Sequence, residues 1–423
     1  MLLGHDGLPM PYPNLFVTIH HRNQSDASNT CYTVFEHIRY LYEICSFLKI
    51  DLVQRCKVGH FLSKQEVESI AKWAKRTVKT FREHVEKNQS KKVVSFTPKA
   101  HKLETARSVI VVDHQGDISS YTAYNRLTTF ADYIGWLENE LYSSKESTTG
   151  QSLKRLRPRK LSTNSGADDV YKSLTKVEVA RVLDVVRPDS TDNPWKDESL
   201  RYRNQLIVNM FEAIGLRRGE LLKLRVPTNN EQGDIKTNPK NGRRYLTIRS
   251  KIDFDDDRKD RPEAKTLGRH VPMDNRLSEM YENYLIYHRS NVNGAEVIPY
   301  LFVTHNHRTS TNQALSTAAI NKVFRELSYV VGFRVHPHVF RHTWNDRFSE
   351  HADKRIAEGK VSAAKSESDR QKLMGWSENS KMARHYSKRH DDKRAFEVGL
   401  ELQESSSALN QNSADTNDLS FDQ

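Results

Sequence analysis

The segment HPHVFRHTW, residues 336–344, places three histidines and one arginine within seven positions. His338 and His342 stand four apart, so on a helix they share a face, the spacing of a zinc-binding pair. The residues between them are Val339, Phe340 and Arg341, with no glutamate, and a guanidinium beside a dication is repelled. His338 and Arg341, three apart, instead present an imidazole and a guanidinium from one helical turn. With a helix starting near Pro337, both lie close to its positive end. That pair suits a phosphate: a fork for two oxygens beside a group that exchanges a proton near neutral pH. A core histidine with a surface arginine is the reading that needs no function.

Two further segments carry matching chemistry. In IGLRRGELLKL, Arg217 stands at a loop-to-helix junction anchored by Leu216, Leu221, Leu222 and Leu224, and Glu220 is spaced to orient it through a salt bridge. In LMGWSENSKMARHYSKRH, residues 373–390, Trp376 and Tyr386 lie ten apart among Lys381, Arg384, Lys388 and Arg389. Cations around a tyrosine stabilise its phenolate, which makes a weak nucleophile usable. The acidic run DFDDD, residues 253–257, is followed at once by Arg258, Lys259 and Arg261, so it reads as a solvated loop rather than a Mg²⁺ site.

The elements that position these groups are mostly helical. Residues 1–30, rich in Pro, Asn, Gly and His, read as an arm. From Cys31 to Ile50, apolar positions recur at helical spacing; Ser63 to Glu66 reads as a capping box, and a long helix covers Thr122 to Tyr142. Residues 31–145 thus form a helical domain of about four helices. Residues 146–170, with Ser, Thr, Gly and the basic cluster KRLRPRK, read as a linker. A second domain, 171–402, opens on a capping box at Thr175 to Glu178, stops one helix at Gly215, and contains two strands, Tyr245 to Arg249 and Arg269 to Val271, joined by a long charged insertion. Helices follow at about 276–288, 316–330, 338–351, 365–374 and 379–386, and residues 403–423 read as a disordered acidic tail. The fold class is mainly α with a small antiparallel sheet in the C-terminal domain.

Lys and Arg number 66 against 54 Asp and Glu, for a net charge of +12. After Arg394 there are acids but no Lys or Arg, so the rest of the chain is more basic still. Such a balance favours a polyanion, nucleic acid above all. Three cysteines, Cys31, Cys45 and Cys56, without a CxxC pair, speak against a disulfide framework or a zinc site and fit a reducing, cytoplasmic setting. No apolar run approaches the ~20 residues that span a bilayer.

GLRRGELLKL, HPHVFRHTW and LMGWSENSKMARHY, in this order, resemble the tyrosine recombinase (phage integrase) family, from about Leu174 to Glu397. The first domain resembles the helical core-binding domain that precedes the family's catalytic domain. The resemblance implies a site-specific recombinase that cleaves and rejoins double-stranded DNA through a 3′-phosphotyrosine link, without metal or cofactor, as a homotetramer on two DNA sites and a monomer or dimer when free. Residue by residue, Arg217 matches the first catalytic arginine, His338 and Arg341 the H-x-x-R pair, and Tyr386 the nucleophile. Trp376 stands where many members have a second histidine; its indole N–H can donate to a phosphate oxygen but cannot transfer a proton. The interval from Trp376 to Tyr386 is one residue longer than usual, with His385 adjacent. For the family's hairpin lysine, AKTLGRHVPM points to Lys265, with Lys251 the competitor. The segment through Phe396, Val398 and Leu400 packs either on a neighbouring copy or on its own domain. A type IB topoisomerase or telomere resolvase would use similar residues, and a DNA-binding regulator without catalysis is the remaining alternative.

Overall fold

The computed structural model describes the chain outside residues 5, 25, 27, 90–115, 143–147, 160–172, 229–231, 251–255, 257, 259–261, 263–265, 306–311, 378, 379, 381–393 and 406–423. The chain divides into two compact units, Met1–Asp168 and Asp169–Gln423.

The first unit is helical: α1 (Pro11–Val17), which runs on as a π turn over Thr18–Arg22, α2 (Ser28–Phe47), α3 (Leu52–Lys57), α4 (Lys64–Ala74), α5 (Val78–Gln89), α6 (Ser120–Leu141) and α7 (Thr149–Arg155). The capping box at Ser63 forms as its residue types predict, with the Ser63 hydroxyl on the Glu66 N–H and the Glu66 carboxylate on the Ser63 N–H. Ile38, Leu41 and Ile44 of α2 meet Leu127, Phe130 and Ile134 of α6 in one core. Two boundaries differ from the sequence reading. The expected arm over residues 1–30 contributes α1, whose Phe16 and Val17 are buried in that core. Part of the expected linker over 146–170 is α7, whose Leu153 is buried against the same cluster. Pro, Asn, Gly and His mark the first segment and Ser, Thr and Gly the second, and a few apolar side chains outweigh them once a partner surface exists. His37, beside Thr129 Oγ1 at 2.9 Å, is pushed down to about 4, chiefly by burial.

The second unit holds α8 (Lys176–Val185), α9 (Glu198–Ile214), α10 (Arg218–Leu222), strands β1 (Ile235–Thr237), β2 (Arg244–Ile248) and β3 (Arg269–Pro272), α11 (Asn275–Asn283), which passes into a π turn over Tyr284–Arg289, α12 (Thr317–Val331), α13 (Pro337–Ala357) and α14 (Ala363–Met374). A further helix, α15, covers 394–405. The sheet is antiparallel in the order β1-β2-β3, with Ile235 opposite Leu246 and Leu246 opposite Val271. Two strands are expected from the sequence; β1 is the third, and three residues are too few for an alternation to show. Leu206, Ile207, Met210 and Phe211 of α9 pack with Phe324 of α12 and Phe340 of α13, so α9 and α13 form the centre of this unit. Phe396, Val398, Leu400 and Leu402 of α15 are exposed. The expected helix at 379–386 and the tail from 406 lie outside the described residues. No helix among the described residues is long and apolar enough to cross a membrane.

Candidate active site

The head of α13 follows from its first three residues. Pro337 sits at the first helical position, where its missing N–H costs nothing. His336 is the N-cap, and its Nδ1 accepts from the Val339 N–H at 3.2 Å. That acceptor exists only while Nδ1 is unprotonated, and the imidazole is held below its ordinary value by burial and then by Arg334. A folded-state pKa below the unfolded one means that the unfolded chain takes up the proton first. The cap therefore stabilises the unit above about pH 6.5 and less as pH falls below it. His336→Ser, which keeps a capping oxygen but does not titrate, should show a smaller drop in melting temperature between pH 8 and pH 5 than the unaltered chain. An equal drop would show that the cap does not titrate.

His338 and Arg341 occupy the first turns of α13 in opposite environments. His338 is exposed, with its ring edge-on to His342 at a centroid distance of 4.7 Å. Arg341 has no exposed surface. A histidine in the core beside an arginine at the surface is thus the reverse of what the fold builds.

The Arg341 guanidinium joins the three sequence segments. One Nη donates to the Gly215 carbonyl at 2.8 Å and the other to the Met374 carbonyl at 3.1 Å. Gly215 ends α9 and Met374 ends α14, so one cation lies at two negative helix ends. Its carbon lies 5.8 Å from the Trp376 ring centroid, within cation–π range. Both helices stop on a left-handed glycine, Gly215 at φ 67° and Gly375 at φ 65°. A Cβ at Gly375 would fall 2.8 Å from the Leu267 carbonyl oxygen, and one at Gly215 would fall 3.0 Å from Trp344 Cγ. Glycine is thus required twice over, by conformation and by contact.

Arg217 precedes α10, where its N–H donates to Glu220 Oε2 at 2.9 Å and its Nη1 lies 3.5 Å from Glu220 Oε1. The ion pair expected between Arg217 and Glu220 is present. Its main partners are others: Arg269 donates to both carboxylate oxygens, at 3.1 and 2.9 Å, and the Thr266 hydroxyl donates at 2.6 Å. Glu220 is fully buried, and burial alone would raise its pKa; Arg269 above all, with Arg341 and Thr266, holds it down at about 2. Arg217 Nη1 is buried with no hydrogen-bond acceptor among the described residues.

With the unfolded carboxyl near 4.5 and the folded one near 2, this pairing stabilises the unit fully above about pH 4.5 and is lost as pH falls toward 2. Glu220→Gln should cost about 3–5 kcal/mol at pH 7, because it leaves Arg269 buried without its counter-charge. Urea melts at pH 7 and pH 3 should show the two proteins converging in acid. A constant difference between them would refute the coupling.

Trp376 is buried with Met374 and Trp344. Leu267 donates its N–H to the Gly375 carbonyl at 3.0 Å, so the start of β3 is tied to the turn that carries Trp376. Lys265, Lys251 and Tyr386 lie outside the described residues. Arg217, Arg341 and Trp376 are thus drawn together through Gly215, Met374 and Glu220, with His338 one turn from Arg341. Sequence reasoning missed Arg269 and Thr266 as members of this cluster. For Arg269 a signal existed: in β3 it alternates inward with Val271, while His270 faces out. The described residues contain no group of three His, Cys, Asp or Glu that could hold a metal ion.

The model of the Phage integrase family matches residues 172–393 of this chain. No curated protein matches it.

Proposed function

The chain belongs to the phage integrase family of tyrosine recombinases, and from that premise we propose that it is a site-specific recombinase that cuts and rejoins DNA through a 3′-phosphotyrosine link. The observation that carries this reading is the Arg341 guanidinium bridging the Gly215 and Met374 carbonyls, which gathers all three chemistry-bearing segments around one buried cation. Arg217 Nη1, which has no hydrogen-bond acceptor among the described residues, is a group that an anionic oxygen would satisfy.

In this reading the Tyr386 phenol oxygen attacks a backbone phosphorus. The new P–O bond forms as the bond to the 5′ oxygen breaks. The phenolic proton passes to His338 or to water, and Lys265 gives a proton to the leaving 5′ oxygen. Arg217 at close range, and the buried charge of Arg341 behind it, oppose the negative charge growing on the non-bridging oxygens, an effect strengthened where water is excluded. Trp376 packs the turn and offers an indole N–H, but no proton. The 5′ hydroxyl of a partner duplex then attacks the phosphotyrosine and reseals the strand; the link conserves the bond energy, so the cycle needs no nucleotide. The basic helical unit would hold the duplex alongside the catalytic unit. Four copies would assemble on two sites, and the exposed apolar residues of α15 supply a surface for contact between copies.

The test is incubation with nicked duplexes drawn from the DNA adjoining the chain's own gene. A protein–DNA adduct that survives denaturation is expected, with the DNA attached at residue 386. Binding without any adduct would overturn the reading.

A further inference from the structure

The connection between β2 and β3 runs from Arg249 to Gly268 and holds the acidic run that reads from sequence as a solvated loop. At its middle the structure has a buried ion pair. Asp256 is almost wholly buried, and Arg258 grips it as a fork, Nε to Oδ1 at 2.8 Å and Nη2 to Oδ2 at 2.7 Å. The remaining Nη1 donates to two carbonyls, Leu222 at 3.0 Å and Leu315 at 2.9 Å. The guanidinium also lies over the Tyr300 ring, 4.2 Å from its centroid. Leu222 is the last residue of α10, so a cation meets the negative end of the short helix that begins just after Arg217. Leu315 leads into the N-cap of α12. A solvated loop needs none of these contacts, and taking two charges out of water is costly unless the geometry repays it.

The other end of the same connection is fastened to the site as well, through Thr266 on Glu220 and the Leu267 N–H on the Gly375 carbonyl. The connection is therefore held at its middle to the last residue of α10 and at its end to Glu220 within α10 and to the turn at Gly375. We infer that Asp256 and Arg258 are positioning residues for strand cleavage: they fasten the β2–β3 connection to α10, and the proton transfer to the leaving oxygen depends on that anchor. This rests on the proposed recombinase reading, in which a lysine of that connection protonates the 5′ oxygen.

The readout is a substrate in which sulfur replaces the bridging 5′ oxygen. A thiolate leaves without being protonated, because its conjugate acid is far stronger than an alcohol. Loss of the proton donor, or of its placement, is then rescued by sulfur, whereas general damage to the fold is not. Four proteins are compared in single-turnover cleavage, with DNA binding measured alongside: Lys265→Ala, Lys251→Ala, Arg258→Ala and Arg258→Met. The methionine keeps apolar bulk against Tyr300 without the fork, which guards against a protein that fails to fold. Arg258→Met should cleave ordinary DNA about tenfold or more slowly, bind it normally, and approach the unaltered chain on the sulfur substrate. Arg258→Ala should follow in the same direction. Should neither lysine variant be rescued by sulfur, the proton-donor reading falls and the inference with it. Should a lysine variant be rescued but Arg258→Met not, or should Arg258→Met cleave ordinary DNA at full rate or lose DNA binding, the pair serves the fold alone and the inference is wrong.

Discussion

Tyr386→Phe should yield no protein–DNA adduct on nicked DNA while retaining DNA binding. The substitution removes one oxygen and leaves the ring, the neighbouring cations and the net charge of the folded protein unchanged. Binding through the phosphate backbone rests on Lys and Arg, which the change does not touch. Chemistry has no substitute of equal reactivity: without the phenol oxygen the covalent link cannot form at this position. Deleting a nucleophile from a group that acts as a unit costs about 10⁴-fold or more. The interval from Trp376 to Tyr386 is one residue longer than the family's usual spacing, and His385 stands beside the tyrosine. The two candidates give different links. A phosphotyrosine ester survives acid, whereas a phosphoramidate on imidazole hydrolyses in it. An acid-stable adduct in the unaltered chain and in His385→Ala, but absent from Tyr386→Phe, is the expected pattern. An adduct that persists in Tyr386→Phe would remove the tyrosine from the mechanism.

What could be read from the residues alone was what local chemistry decides. The capping boxes at Ser63 and Thr175 need only residues three apart, and both form as their types require. The stop of α9 at Gly215 needs only one glycine in the left-handed region. Arg217, His338 and Arg341 suggest a phosphate site by residue type, whereas Trp376 enters only through the family resemblance; the structure joins Arg341 to the turns that carry Arg217 and Trp376. What stayed hidden was every feature settled by a distant partner. Arg269 finds Glu220 across 49 residues, and Arg258 finds Leu315 across 57. Whether a charged side chain lies in water or in the core depends on such partners, and periodicity carries no record of them. The same limit explains the two misread boundaries: Phe16 and Leu153 lie in segments marked by Pro, Asn, Ser, Thr and Gly, and only the surface they meet makes them core residues.

Arg341 was singled out for its charge, but its surroundings give it a second duty, and the two can be separated. Arg341→Ala leaves the Gly215 and Met374 carbonyls without donors and opens a cavity of arginine size beneath Trp376. Unsatisfied buried carbonyls and a cavity together should cost the second unit about 3–5 kcal/mol, seen as a lowered urea midpoint. Arg341→Lys keeps the charge, but an ammonium on a single stem cannot reproduce a planar fork across two helix ends. Its stability should fall less, by about 1–2 kcal/mol. If the field of the cation were all that mattered, lysine would restore cleavage. Because the fork also ties the ends of α9 and α14 to each other, and so holds Arg217 and Trp376 in place, Arg341→Lys should still cleave about 10²-fold more slowly at a temperature where it is fully folded. DNA binding by this variant should remain close to normal, since a fully buried group contributes little to a backbone contact surface. Near-normal cleavage by Arg341→Lys would reduce Arg341 to a point charge, and an Arg341→Ala protein as stable as the unaltered chain would remove its role as the clamp between the two helix ends.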